Sequence, residues 1–179
     1  MTAFLPPLSL ILGGARSGKS AHAEALVCAA GPERVYLATA QVWDPEMAQR
    51  VQSHKDRRAQ GWQTIEEPDA IESLLEAGFG GKPVLLDCLT LWLTTLLLKA
   101  ESDPSAPPPE ERCISLCAAL KACPDPVVVV SNEVGLGIVP DNALARRFRD
   151  LAGTLNQQVA AIADRVDLVA AGLPLRLKG

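Results

Sequence analysis

Short, fully apolar runs alternate with helical patterns along the whole chain. Residues 8–12, 35–40, 84–88 and 127–131 are apolar runs dominated by Val, Leu, Ile and Ala, each of strand length. The segments between them carry longer patterns with helix signals. Residues 21–30 read as a helix stopped by Gly31-Pro32, and Asp44-Pro45-Glu46 as a helix start running to about residue 59. Residues 70–77, the stretch from 89 through Lys99, 110–122 and 141–164 complete the helical set, with a shorter candidate strand at 63–66. Residues 166–170 and 173–177 read as closing strands. Uninterrupted apolar strands separated by helices predict a mainly parallel sheet covered on both faces, within one domain spanning residues 1–179. No internal repeat is visible. Residues 101–109 (ESDPSAPPP) form a proline-rich loop and the best candidate for disorder.

Composition narrows the function class more than the fold. The chain has 179 residues, nearly half apolar and about a fifth charged, which suits one packed domain. Its net charge is −4, with 17 Lys and Arg against 21 Asp and Glu. A general nucleic-acid binder carries a basic surplus, so no nucleic-acid partner is expected. The apolar run at 84–98 contains Asp87 and three threonines and is too short to cross a bilayer. The N-terminal run has no basic residue ahead of it and is interrupted by Pro6-Pro7, which argues against a secretion signal. The five cysteines lack the C-x-x-C spacing of a zinc or redox site and read as reduced thiols of a cytoplasmic protein.

The strongest chemical signal is Gly13-Gly14-Ala15-Arg16-Ser17-Gly18-Lys19-Ser20, which matches G-x-x-x-x-G-K-S between a predicted strand and a predicted helix. Glycines there let backbone N–H groups turn inward around phosphate oxygens, and the helix N-terminus adds partial positive charge. Lys19 is placed to reach the β- and γ-phosphates, and Ser20 to ligate Mg²⁺. Asp87 ends an apolar strand, where an acid of Walker-B type sits, and either helps hold the metal and nucleotide or caps the following helix. Glu133, at the end of the 127–131 strand, either orients a substrate or caps a turn.

The two histidines read differently. His22 follows the phosphate loop and reads as a helix-surface residue. On a helix starting near Pro45, Arg50, His54 and Arg58 lie four apart on one face, with Arg57 adjacent. Neighbouring guanidinium groups disfavour the imidazolium, and a neutral imidazole is a competent nucleophile at phosphorus. The same pattern also describes a solvated basic helix face.

These residues together resemble one specific group of P-loop enzymes. The resemblance is carried by Gly13 to Ser20 with Ala21-His22-Ala23-Glu24, by Ala38-Thr39-Ala40-Gln41, and by Asp44-Pro45-Glu46-Met47. Arg50, His54, Arg58 and Trp62, the string Leu86-Asp87-Cys88-Leu89-Thr90, and Asn132-Glu133-Val134-Gly135-Leu136-Gly137-Ile138-Val139-Pro140 add to it. The segment from Ala145 to Gly153 and Asn156-Gln157 complete it. The family is the bifunctional adenosylcobinamide kinase / adenosylcobinamide-phosphate guanylyltransferase of cobalamin biosynthesis, and the likeness runs from about residue 10 to 177. It implies a P-loop NTPase-type three-layer α/β sandwich, RecA-like, with a mainly parallel sheet.

The implied chemistry has two reactions. A nucleoside triphosphate phosphorylates the aminopropanol hydroxyl of adenosylcobinamide. GMP then passes from GTP to that phosphate by way of a covalent histidine adduct, which the resemblance assigns to His54. Nucleotide contacts (GTP or ATP) carry over to Gly13, Gly14, Ala15, Arg16, Ser17, Gly18, Lys19, Ser20, Ala38, Thr39, Ala40, Lys55, Asp56, Arg57, Arg58, Glu66 and Asp87, with Ser20 and Asp87 for Mg²⁺. Some relatives have two adjacent histidines where this chain has Ser53-His54, and some have Glu where it has Asp87. The resemblance also implies a homotrimer, with apolar parts of residues 89–98 or neighbouring helices packing between subunits. The corrinoid surface is not assigned; the proline-rich segment and the loop from Gly135 to Pro140 are candidates for it. A P-loop kinase of another small metabolite, or a nucleotide-dependent regulatory protein, would share the phosphate loop; the N-K-x-D motif of a GTPase is absent.

Overall fold

A computed structural model describes residues 4–40 and 60–179. Seven strands form one sheet: β1 (Leu8–Gly13), β2 (Arg34–Ala38), β3 (Trp62–Glu66), β4 (Val84–Asp87), β5 (Val127–Asn132), β6 (Arg165–Ala170) and β7 (Leu173–Lys178). Among the described residues five helices accompany them: α1 (Lys19–Ala30), α2 (Ile71–Ala77), α3 (Leu89–Ser102), α4 (Pro109–Ala122) and α5 (Ala143–Ile162). The helix expected over residues 44–59 lies outside the described residues, and so do His54, Lys55, Asp56, Arg57 and Arg58.

The strand order is β3-β2-β4-β5-β1-β6-β7, and only the β6–β7 pair is antiparallel. β1, β4 and β5 are mostly apolar because both faces are covered, with polar residues at Ser9 and at the ends of β4 and β5. On one face Ile11, Tyr36, Leu85, Val128, Val130 and Val169 pack against Ala23 and Val27 of α1. On the other, Leu10, Leu37, Leu86, Val129 and Val166 meet the inner stripes of α2 to α5. This is the expected three-layer arrangement with a mainly parallel sheet. The chain leaves β1 through α1 to reach β2, and leaves β5 through α5 to reach β6 on the far side of β1. Right-handed crossovers in opposite directions demand opposite faces, and they open a crevice at the carboxyl ends of the central strands.

Element ends depart from the sequence pattern where tertiary contacts decide them. Thr39 leaves β2, and Cys88 leaves β4, because the two bond to each other. α3 runs three residues past Lys99, and Pro109 is the first residue of α4, so the proline-rich loop shrinks to residues 103–108. It is pinned by Asp103, whose Oδ1 accepts from the Ser105 N–H at 2.9 Å. α5 starts at Ala143 because Asn142 caps it, its Oδ1 accepting from the Ala145 N–H at 3.1 Å. All five cysteines are unpaired thiols. No described helix is long and apolar enough to cross a membrane.

Two charged clusters tie the layers together. Arg112 of α4 forms a fork with Glu72 at 2.7 and 2.9 Å and also reaches Asp69, which holds Lys99 of α3. On the α1 side, fully buried Asp167 accepts from Arg165 and from Arg176 of β7 and bonds His22 Nε2 at 2.8 Å. His22 is therefore not a surface residue: its ring is mostly enclosed against Asp167, a partner 145 positions away that helix periodicity cannot reveal.

Burial alone works to raise the Asp167 pKa, but the bonds from Arg165, His22 and Arg176 outweigh it and lower the value to about 2. A folded-state value below the unfolded one means stability that is fully present above the unfolded value and lost as pH falls through about 2. The displacement corresponds to about 2 kcal/mol. Asp167→Asn is expected to lower stability at neutral pH by about that amount. Urea denaturation measured from pH 6 down to 2 should show the gap between variant and wild type narrowing as the carboxylate is protonated.

Candidate active site

Parallel pairing brings the ends of six strands to one edge. Gly13 stands beside Asn132 on one side and Val169 on the other; Ala38 stands beside Asp87 and Glu66. The phosphate loop leaves β1 at this edge, turns through the Ser17 N–H donating to the Gly14 carbonyl at 3.3 Å, and enters α1 at Gly18. Gly18 has φ of 96°, which favours glycine, and serves as the N-cap with no side chain covering the helix end. The first turn of α1 contains no acid. Its free N–H groups thus keep both the geometry and the charge of an anion site, whereas α5 closes its own N-terminus with Asn142. Gly172, in the β6–β7 turn, donates its N–H to the Ser17 carbonyl at 2.7 Å and buttresses the loop from behind.

Lys19 folds back so that Nζ donates to the Gly14 carbonyl at 3.1 Å. Gly14, Ala15 and Arg16 are exposed, and Ser20 is half-buried in the first turn. The Ser17 hydroxyl is buried without a hydrogen-bond partner among the described residues. In a loop of this shape, that leaves one polar group for a ligand to satisfy.

The acid at the end of β4 is placed by a polar chain. Thr39 Oγ1 donates to the Cys88 carbonyl at 2.7 Å and accepts from the Cys88 N–H at 2.8 Å. Thr90 then bonds Cys88 Sγ at 3.1 Å and accepts from Asn132 Nδ2 at 2.8 Å, so the ends of β2, β4 and β5 are cross-linked. Burial, and then the Asp87 charge, push the Cys88 thiol up to about 11, which keeps it neutral and unreactive. Asp87 itself accepts from Tyr36 through Oδ2 at 3.0 Å, and the cap position of α3 belongs to Cys88, with no side-chain bond. Helix capping is thus not what Asp87 does. The Ser20 hydroxyl and the Asp87 carboxylate are oxygen donors of the kind Mg²⁺ takes alongside water and phosphate.

Glu133 has the more local role of its two readings. Its N–H donates to the Gly13 carbonyl at 3.1 Å, and its Oε1 accepts from the Gly135 N–H at 2.6 Å, closing a turn beside the phosphate loop. Of the other expected contacts, Ala38, Thr39 and Ala40 lie at the end of β2. Glu66 is exposed on the edge strand β3, four strand spacings from β1, or about 19 Å. The structure therefore gathers the phosphate loop and Asp87, with Thr39 bracing the strand end beside them, and leaves Glu66 well to one side. The bracing roles of Thr90, Asn132 and Gly172 carry no sequence signal strong enough to single them out.

A phosphate loop at the head of a central parallel strand, with an acid at the end of a strand one removed, defines a P-loop nucleotide-binding protein of RecA-like architecture. Solved structures share that fold. They include an ATPase of a bacterial type III secretion system (TM-score 0.57, 14% identity, 94% of this chain and 56% of that one). The flagellar accessory protein FlaH of Methanocaldococcus jannaschii (0.53, 13%, 98% and 80%) and the RadB recombinase (0.51, 18%, 93% and 76%) are further examples.

Sequence similarity narrows the class. Residues 9–177 match the family of cobinamide kinase / cobinamide phosphate guanyltransferase. The bifunctional adenosylcobalamin biosynthesis protein CobU of Salmonella typhimurium is 48% identical over 94% of this chain and 98% of its own. CobP of Pseudomonas aeruginosa, with the same description, is 47% identical over 95% and 96%. The chain belongs to this family of bifunctional enzymes.

At Gly13 an added Cβ would collide with Ser17 Oγ and lie 2.6 Å from the carbonyl oxygen of Val169, a sheet backbone atom that cannot yield. Gly13→Ala is expected to weaken nucleoside triphosphate binding about tenfold or more, or ~1.4 kcal/mol, in an equilibrium titration. At Gly14 an added methyl meets nothing within 4 Å, so Gly14→Ala should keep the thermal midpoint of the wild type.

Proposed function

We propose that this chain phosphorylates adenosylcobinamide with a nucleoside triphosphate, ATP or GTP, and then transfers GMP from GTP to adenosylcobinamide phosphate through a guanylyl-His54 intermediate. The observation that carries the reading is the family match over residues 9–177, on a chain whose phosphate loop is built to receive a triphosphate.

In the first reaction the aminopropanol hydroxyl oxygen attacks the γ-phosphorus. The bond to the β-bridging oxygen breaks, and the hydroxyl proton departs to solvent or a base. This step needs no covalent residue. The N–H groups of the loop and α1 hold the phosphates, Lys19 swings from the Gly14 carbonyl to the departing charge, and the enzyme's contribution is position and electrostatics. Ser20 and Asp87 would hold Mg²⁺, which would supply charge neutralisation at the phosphates. In the second reaction a His54 ring nitrogen attacks the α-phosphorus of GTP and pyrophosphate leaves. A phosphate oxygen of adenosylcobinamide phosphate then displaces the histidine, giving adenosylcobinamide-GDP. Direct transfer would bring two anionic phosphate groups together, and the relay handles them one at a time. Two inversions cancel, so configuration at the α-phosphorus is retained.

The same reading places the enzyme in the cytoplasm as a homotrimer. Most of the apolar side of α3 is already spent: Leu89, Trp92, Leu93, Leu96 and Leu97 are buried within the chain itself. A surface open to a neighbouring copy is the groove of about 430 Å³ between α3 and α5, lined by Leu98, Leu144 and Phe148. A monomeric mass by light scattering at working concentration would overturn the trimer.

The covalent step has a direct assay. Protein incubated with Mg²⁺ and GTP labelled on the α-phosphate should retain acid-labile, alkali-stable label after denaturation, and His54→Ala should retain none. Absence of label on folded, GTP-binding wild type would replace this mechanism with that of a simple P-loop kinase.

A further inference from the structure

The turn closed by Glu133 opens into a segment the phosphate chemistry does not use. Leu136 and Ile138 are 90% and 97% exposed, and Val139 is 56% exposed. Among the described residues Phe4, at 89%, is bared to the degree of Leu136 and Ile138, and Leu173 and Leu175 of β7, at 73% and 60%, are more exposed than Val139. One exposed leucine is ordinary, but three aliphatic side chains within four residues form a patch, and such a patch marks a binding surface. The patch stands on an anchored stem. At its start, Glu133 is bonded through its N–H to Gly13 and through Oε1 to Gly135. At its end, Arg146 Nη1 donates to the carbonyls of Pro140 and Asp141 at 2.9 and 2.7 Å.

We infer that Leu136, Ile138 and Val139 form the platform on which the corrin macrocycle of the substrate rests while its aminopropanol arm reaches the phosphate loop. This rests on the corrinoid reading above and assigns the surface that reading leaves open. The stem is hydrogen-bonded to Gly13, so the crest rises from a segment anchored at the head of the phosphate loop. A corrinoid is a large, flat, methyl-studded ring carrying one long arm with the reacting hydroxyl. It needs apolar area beside the phosphate site, whereas a nucleotide needs donors and charge. Gly135 and Gly137 alternate with the aliphatic residues, and an added methyl at Gly137 meets nothing within 4 Å, so the crest is slim enough for close approach to a ring. The other candidate segment, residues 103–108, offers no large aliphatic side chain and is folded onto its own Asp103.

The test is the double variant Leu136→Ser/Ile138→Ser, assayed with adenosylcobinamide as varied substrate. The KM for the corrinoid is expected to rise about tenfold or more, from the lost apolar contact. The KM for the nucleotide, self-labelling of His54 by GTP without corrinoid, and the mass in solution are expected to stay as in wild type. The conservative pair Leu136→Met/Ile138→Leu should restore the corrinoid KM to within about threefold of wild type. An unchanged corrinoid KM in the serine variant overturns the inference. So does a fall in its solution mass, which would make the crest a contact between copies of the chain. Wild type that turns over no adenosylcobinamide would overturn the functional reading itself, and the platform with it.

Discussion

The structure depends on the crowding at the end of β1. That strand is paired on both sides and buried on both faces, so the chain leaving it has one narrow exit. Gly13 takes that exit where a side chain would strike Ser17 and the backbone of β6. The loop that follows is consequently stiff before any ligand arrives. It is shaped by the Gly14 carbonyl, the Gly172 N–H and the left-handed Gly18, and it delivers α1 with its N–H groups uncapped. Organisation of this kind reduces the ordering cost of binding a triphosphate, and it requires that the sheet below be rigid.

Rigidity comes from a division of labour between the two faces. The apolar strands supply the bulk of the burial, while the polar links sit at the margins. Thr39 stitches β2 to Cys88, Thr90 and Asn132 continue the stitch to β5, and Asn156 of α5 donates to the Asn132 carbonyl at 3.2 Å. At the other side Asp167 gathers α1, β6 and β7. A charge so deeply buried is tolerable only because its partners converge on it, which also ties those three elements to one another. The phosphate loop lies between these two polar braces.

Much of this was legible from residue order alone, for reasons that differ by element. Buried parallel strands must be continuously apolar, so β1, β4 and β5 announce themselves. The glycine-lysine-serine string between strand and helix has few other uses. The edge strand β3 was also readable as a short strand, whereas the helix expected from Asp141 starts at Ala143, where the Asn142 cap sets it. His22 was misread because helix periodicity describes only a residue's own helix, and its partner Asp167 comes from the far end of the chain. The uses of Asp87 and Glu133 were each left open between two readings for the same reason. Which one applies depends on whether Tyr36 or a neighbouring N–H arrives beside the carboxylate.

By itself, the sequence determined the fold class, the position of the phosphate loop and the membership in a family of two-step corrinoid-modifying enzymes. Each of these is written in local strings or short-range periodicity. Tertiary structure alone decided which strand ends share an edge, and therefore that Asp87 ends a strand two spacings from that of Gly13 while Glu66 ends one four spacings away. It also decided that most of α3 is consumed inside the subunit and that the Leu136–Val139 crest remains bare. Those outcomes depend on strand order and on packing between segments distant in the chain. Residue order constrains them only through the folded whole.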